Sequence, residues 1–516
     1  MTGAELLLKT AASAGVEVCF TNPGTTEMPL VLAFDSVARI RPILGLFEGC
    51  CTGAADGYGR MEDKPAMTLL HLGPGLGNGI ANLHNARRAR TPVFNVIGEH
   101  ATWHRSADAP LSMDIVTLAE TVSGWQRTCS AAQNLSRDTA DAIAGALQGK
   151  VATLIVPSDF QWSESTVKNI HQPKIAAASI DQDSIERAAD LLRSDQKTAL
   201  ILGGRALRQR GLEAAARIKV KTGCDLISER APARMERGAG IAATEFIPYF
   251  PRQALELLGK YQTIVLAGAA EPVTFFGWQG YPSRLLTDEQ DSCHLKAADN
   301  NLPQALENLA DLLGAPGKVD AATAGFSNVE RPALPHGGLS AQKACVILAA
   351  LQPEHAIIVN ESVTSGAAYF PLGPGLPPHT LLVIPGGAIG FGLPCAVGAA
   401  IACPERPVIN IQSDGSAMYT LQALWTQARE GLDITTLICS NRSYNILNIE
   451  IARAGVTTPG PYAQTLTDLS NPAIGWVHIS KGMGVPAVAV DSCEALTKEL
   501  KKALAEPGPH LIEMII

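Results

Sequence analysis

Between Ile409 and Asn445 the sequence INIQSDGSAMYTLQALWTQAREGLDITTLICSNRSYN sets two β-branched apolar runs around an amphipathic stretch, and each run closes on a short polar turn. That pattern reads as strand, turn, helix, strand, turn, the repeating unit of a parallel sheet covered by its own crossovers. Parallel sheets hold their ligands beyond the carboxyl ends of the strands, and Asp414 and Asn441 both fall there. The turn Ser413-Asp414-Gly415-Ser416 is expected to open a helix running through Trp425, which would aim free backbone N–H groups at the same space. An acid in that position implies a bridging cation. A hard ion such as Mg²⁺ takes oxygen ligands shared between protein carboxylates or amides and phosphate groups. The local pattern equally allows a helix N-cap by Asp414 and a plain loop turn at Asn441.

A chain of 516 residues exceeds one ordinary core, so about three domains are expected. The alternation of helical and strand patterns gives an α/β class with three doubly wound parallel-sheet domains. Residues 1–165 form the first, with strands at Val16–Phe20, Met67–Leu70, Val93–Ile97 and Thr153–Val156. Residues 180–320 form the second, with strands at Ala199–Leu202, Asp225–Ser228 and Thr263–Leu266. Its turn Gly203-Gly204-Arg205 lacks the G-x-G-x-x-G fingerprint, so a flavin or nicotinamide there has no support. A Gly-, Pro- and Ala-rich stretch at about 315–338 reads as a linker to the third domain, 339–516.

The formal charge of −8 argues against nucleic acid as the main partner. Eleven cysteines without C-x-x-C spacing indicate neither a zinc site nor a disulfide framework. The first residues read as an amphipathic helix, and the most apolar stretch, Ile389–Cys403, is short and broken by Gly and Pro. No membrane span and a cytoplasmic location are therefore expected.

Asn441 follows Asp414 by 27 positions, and this resembles the thiamin-diphosphate (ThDP) signature, in which GDG precedes an Asn pair at that distance. The resemblance implies that Asp414, Asn441 and the carbonyl of Ser443 hold Mg²⁺, with Gly415, Ser416, Thr364 and Tyr444 near the cofactor. Ser413, Ser440 and Arg442 depart from the usual Gly, Asn and Gly. At Glu48 an acid sits in the apolar run RPILGLFEGCCTGAADGYGR, where a buried carboxylate needs a partner and an N-cap is the structural alternative. Its spacing to Tyr58 resembles the pyrimidine-binding domain of ThDP enzymes. Carried over, Glu48 binds the pyrimidine nitrogen, and burial would raise its pKa towards neutrality. The run PGGAIGFGLP is also similar to a ThDP element, with Ile389 under the cofactor and the Gly387 carbonyl accepting from its amino group.

Within the 2-oxoacid decarboxylase and acetolactate synthase family, the motifs most resemble those of benzoylformate decarboxylases. Asn22-Pro23-Gly24-Thr25, His71, Asn360-Glu361-Ser362 and Asp414 to Thr426 all have counterparts there. This implies a substrate contact at Thr25, a proton relay at His71, a 2-oxo acid substrate, and a homodimer or homotetramer with sites between subunits. The second relay histidine is replaced within Val273–Gly277, and Glu450 stands where an aromatic pocket residue is usual. Both departures count against a plain aryl decarboxylase and leave room for carboligation of the acetolactate-synthase type, to which Gly73-Pro74-Gly75 is also similar. A catalytically silent homologue is the remaining alternative.

Overall fold

A computed structural model describes residues 1–167, 169–175, 179–320 and 324–516. Its first sheet contains β1 (Val18–Thr21), β2 (Arg41–Leu44), β3 (Ala66–His71), β4 (Val93–Glu99), β5 (Trp125–Thr128) and β6 (Val151–Pro157). The strands run in the order β2-β1-β3-β4-β6-β5, all parallel. β3, β4 and β6 are almost wholly buried, as their unbroken apolar runs require. The strands absent from the sequence reading, β2 and β5, are the two edges. Their mixed Arg-Pro-Ile-Leu and Trp-Gln-Arg-Thr sequences are only partly covered and carry no strong period.

The central segment adds β7 (Thr198–Leu202), β8 (Asp225–Ser228), β9 (Met235–Arg237), β10 (Glu245–Phe246), β11 (Thr263–Ala267) and β12 (Asp291–Leu295). The last third contributes β13 (Ile357–Glu361), β14 (His379–Val383), β15 (Val408–Ser413), β16 (Ile434–Ser440), β17 (Ala487–Val490) and β18 (His510–Ile515). The central sheet is ordered β10-β8-β7-β11-β12, and the third β17-β18-β16-β15-β13-β14-β9. β9 therefore leaves the central segment and closes the edge of the third sheet as its antiparallel strand. Arg237 anchors it by donating to the Phe370 carbonyl at 2.7 Å.

Two topological switch points follow from these orders. β1 pairs with both β2 and β3, and β13 with both β14 and β15, so the winding reverses at each and opens a crevice at the strands' carboxyl ends. Thr25 follows β1 and His71 ends β3 at the first. Thr364 and Asp414 follow β13 and β15 at the second.

The Glu48–Glu62 helix joins the two outer sheets by packing on the Gly392–Ala402 helix. Their backbones approach so closely that a Cβ on Gly57 would lie 2.2 Å from the Cys395 carbonyl oxygen, and one on Gly398 1.9 Å from that of Ala54. Only glycine fits at such a crossing. A buried Arg60 secures the helix, taking Asp56 at 2.9 Å and donating to the carbonyls of Val383 at 2.7 Å and Ala233 at 3.0 Å.

Of the expected linker, residues 321–323 lie outside the described residues. Of its remainder, Ala315 and Phe326 pack against the central core, whereas Leu334 packs on the third domain and Glu330 N–H donates to the Gly375 carbonyl at 2.7 Å. At the Gly203-Gly204-Arg205 turn, Glu229 and Asp299 carboxylates accept from the N–H groups of Gly204 and Arg205, both at 3.2 Å. All eleven cysteines are unpaired, and no described helix is long and apolar enough to cross a membrane.

Candidate active site

Asp414 sits directly after β15 and is 3% exposed. Its Oδ1 accepts from the Gly415 N–H at 2.8 Å and its Oδ2 from the Arg442 N–H at 2.7 Å. No cationic side chain among the described residues reaches it, and the Arg442 side chain points to solvent. Burial pushes the carboxyl above its usual range against those two N–H groups. A buried, backbone-oriented carboxylate without a counter-charge fits a cation ligand.

Asn441 follows β16, and its Oδ1 accepts from the Ser443 N–H at 3.0 Å. Arg442, between them, takes a φ of +53°, the left-handed conformation for which glycine is usual. That conformation delivers its N–H to Asp414, so the departure from Gly keeps the turn geometry at a modest conformational cost of about 1 kcal/mol. Val363, beside Thr364, is a β-branched residue at φ +48°, and Leu72, beside His71, lies at +53°. Such outliers cluster at functional turns because the surroundings must hold them.

Thr364, Asn441 and Ser443 line one cavity of about 370 Å³, together with Ser340, Ser365 and Asn445. Asp414, Asn441 and a backbone carbonyl make an all-oxygen donor set suited to a hard ion. Among the described residues there is no cluster of three His, Cys, Asp or Glu able to hold a metal, so amide and carbonyl oxygens are needed to complete a shell. Mg²⁺ and a diphosphate fit these residues.

One expectation is corrected here. The helix expected from Ser413 through Trp425 is broken into Asp414–Ala417 and Ala423–Glu430. The break lets Thr420 Oγ1 donate to the Gly390 carbonyl at 2.9 Å, with Tyr419 packed on Gly390. The Ser416 hydroxyl already accepts from Gln412 at 2.7 Å and donates to the Ser413 carbonyl at 3.3 Å. Tyr444 covers Gly415 so closely that a Cβ there would lie 2.5 Å from its ring.

Gly387 has a φ of +74°, and a Cβ on it would sit 2.6 Å from the Phe275 ring. Ile389 is half-buried on the same loop. Two asparagines of the Leu72–Ala89 helix hold this loop: Asn82 donates to Gly390 at 3.2 Å and Asn85 to Ala388 at 2.8 Å. From below, the buried Glu361 accepts from the Gly390 N–H at 2.6 Å and from Gln412 at 3.0 Å, while burial raises its pKa. Glu361 stood in a quoted motif, yet its role emerges only from these partners.

Glu48 is the first residue of its helix, capped by Phe47, and its side chain is half-exposed rather than buried in the single chain. Its Oε2 accepts from Asn78 at 3.0 Å, so it does not cap its own helix. His71 Nδ1 lies 2.8 Å from Oε2 of Glu27, an acid absent from the sequence reading and completely buried. Glu27 raises the imidazole pKa through that bond, partly opposed by desolvation, with Glu48 adding a smaller upward effect. Gly24 makes room for the pair, since a Cβ there would lie 2.3 Å from the His71 ring. Thr25 is exposed at the rim, whereas Thr26 Oγ1 lies 3.2 Å from His71 Nδ1. The available signal for Glu27 was an acid placed three residues after the Gly24 turn, where it accepts the Gly24 N–H at 2.8 Å.

A raised His71 pKa means that its ion pair with Glu27 stabilises the fold fully below the ordinary imidazole value of 6.5 and fades as pH rises through the folded value. Glu27→Gln is therefore expected to lower the His71 titration midpoint in an NMR pH series. An unchanged midpoint would remove Glu27 as its cause.

The three-domain fold is that of the ThDP enzymes, and two family models match its outer domains. Residues 1–118 match the thiamine pyrophosphate enzyme N-terminal TPP binding domain, and 364–514 the corresponding C-terminal TPP binding domain. The chain belongs to the thiamine pyrophosphate enzyme family. It is 49% identical over 519 residues to the Mycobacterium tuberculosis protein named "Putative acetolactate synthase large subunit IlvX", covering 100% of this chain and 99% of that one. Benzoylformate decarboxylase of Pseudomonas aeruginosa is 27% identical, covering 97% and 96%. Among solved structures, the ThDP-dependent 4-hydroxybenzoylformate decarboxylase of Rhodococcus jostii superposes with a TM-score of 0.83 at 25% identity, covering 100% and 99%.

Proposed function

We propose that this protein is a ThDP- and Mg²⁺-dependent enzyme that releases CO₂ from a 2-oxo acid, working as a decarboxylase. The observation that carries this reading is the convergence of His71, Glu27 and Glu48 beyond β1, β2 and β3, an acid–base group in a member of this family. When bound, ThDP supplies a ring that accepts the electron pair left by CO₂. Asp414, Asn441 and the Ser443 carbonyl would hold Mg²⁺, and Thr364, Gly415 and Ser416 would hold the diphosphate. Gly387, Ile389 and Tyr444 would orient the rings. Glu48 would hold a proton facing the pyrimidine, His71 would serve as proton donor to the product, and Thr25 would meet the substrate at the rim.

Residues 1–165 take the pyrimidine-binding role and 339–516 the diphosphate-binding role. The diphosphate cavity takes no lining residue from the first domain, and Glu48 is left half-exposed, which supports a homodimer or homotetramer with each site completed between subunits.

A second reading, carboligation, is favoured by the segment Val273–Gly277. It presents no imidazole, and its hydroxyl, on Thr274, is turned to the Ser283 carbonyl at 3.4 Å. With His71 as the single histidine donor, addition to a second carbonyl compound competes with protonation. A panel of 2-oxo acids with products identified by mass spectrometry separates these outcomes. Aldehyde and CO₂ are expected. Acetolactate from pyruvate without aldehyde would replace the decarboxylase by a carboligase, and no ThDP binding by calorimetry with Mg²⁺ would leave a silent homologue.

A further inference from the structure

Arg230 follows β8 and lies over two aromatic rings, 4.5 Å from the centroid of Phe275 and 5.3 Å from that of Tyr249. Among the described residues no carboxylate or carbonyl accepts from its guanidinium. Burial holds its pKa below the usual value, with only Tyr249 opposing. The neighbouring cation is provided for differently. Arg453 stacks on Phe250 at 4.3 Å and pairs with Glu450 at 3.4 Å, while Trp278 Nε1 donates to the other Glu450 oxygen at 3.0 Å. The one acid of this cluster is thus committed to Arg453 and Trp278.

A half-buried guanidinium stacked on ring faces has given up part of its hydration and has no anion in exchange. Its planar fork remains free for a bidentate carboxylate. Phe275, on which it stacks, also presses against Gly387, which puts Arg230 one ring away from the loop assigned to the cofactor head. Phe275 and Phe276 keep 37% and 56% of their surface exposed, so ligand can approach.

We propose that Arg230 determines specificity by binding a carboxylate of the ligand that is not the one released as CO₂. The proposal rests on the reading of Gly387 as a cofactor contact. That carboxylate belongs either to the far end of a 2-oxo dicarboxylic acid or to a 2-oxo acid serving as acceptor in carboligation.

The test uses the full chain with ThDP and Mg²⁺, as wild type, Arg230→Met and Arg230→Lys. One arm compares kcat/KM for a 2-oxo dicarboxylic acid and its terminal methyl ester. The other, with pyruvate as donor, compares a 2-oxo acid acceptor with the corresponding aldehyde. In one arm wild type is expected to favour the carboxylate, and that preference to fall at least about 30-fold in Arg230→Met and recover in part in Arg230→Lys. The arm that responds identifies the source. A variant that slows both members of each pair equally, or a wild type without preference in either arm, overturns the proposal. Calorimetry with glutarate and its monomethyl ester reads binding without turnover, and equal glutarate affinity in wild type and Arg230→Met also overturns it. Arg230-dependent glutarate binding in a protein that turns over no 2-oxo acid keeps the carboxylate site and removes the proposed reaction.

Discussion

Glu48→Gln is expected to lower 2-oxo acid turnover by about 10²- to 10⁴-fold, the range for loss of a positioned acid–base group. Calorimetric ThDP binding in the presence of Mg²⁺ is expected to stay near the wild-type value. Three features separate this effect from simple damage to the fold. The glutamine is isosteric, and its carbonyl oxygen can still accept from Asn78, which now lies 3.0 Å from Oε2. The helix start does not depend on the side chain, because Phe47 is the N-cap and its carbonyl takes the N–H groups of Cys50 and Cys51 at 2.9 and 3.2 Å. The helix itself is held far from Glu48, by the buried Arg60–Asp56 pair and its bonds to Val383 and Ala233. What is removed is the capacity to exchange a proton, together with the small upward effect of the Glu48 charge on His71. Gly75 leaves the other oxygen open, since a Cβ there would come within 3.2 Å of Oε1. Wild-type turnover by the variant would end the catalytic assignment of Glu48, and loss of ThDP binding would make it a binding residue instead.

What could be read from the chain depended on how local its causes were. Asp414 and Asn441 were legible because a stretch rich in β-branched residues ends immediately before each, so a strand end is fixed by its own residues. The break after Ala417 was not, because the bond that accompanies it, from Thr420 to the Gly390 carbonyl, spans 30 positions. Glu27 was missed for the same reason. Its partner His71 lies 44 positions along, and nothing near Glu27 marks the residue as buried. The edge strands β2 and β5 escaped because half-covered strands lose the alternation that reveals inner ones. The antiparallel β9 escaped because three residues carry no period at all. Arg442 illustrates the opposite case. Its departure from glycine was visible in the sequence, but only the backbone reveals that arginine adopts the same left-handed turn.

Asp414→Asn is expected to weaken Mg²⁺-dependent ThDP binding by about 100-fold or more, since even outer partners of metal ligands cost 10- to 100-fold when lost. The substitution keeps the number of heavy atoms and one oxygen, so steric loss cannot explain such an effect. It does remove one of two acceptors: either the Gly415 or the Arg442 N–H, now at 2.8 and 2.7 Å from carboxylate oxygens, must face an amide nitrogen. A buried N–H left without an acceptor costs roughly 1–3 kcal/mol, which falls on the left-handed turn that also positions Asn441. Charge acts in the other direction. Because burial raises the Asp414 pKa in the fold, the unfolded chain loses this proton first as pH rises. Without bound cation, the wild-type protein therefore loses stability from the ordinary aspartate value of 3.8 upward until the folded group has ionised. The asparagine variant lacks that limb. Denaturation of the two metal-free proteins across this range is expected to show the stability difference moving in favour of the variant as pH rises. Added Mg²⁺ and ThDP should reverse the order by stabilising wild type alone. A variant that binds ThDP as tightly as wild type at the same Mg²⁺ concentration would place the cation elsewhere. Parallel pH profiles of the two metal-free proteins would mean that the carboxylate is neutralised within the chain, and the case for a cation at this strand end would fall with it.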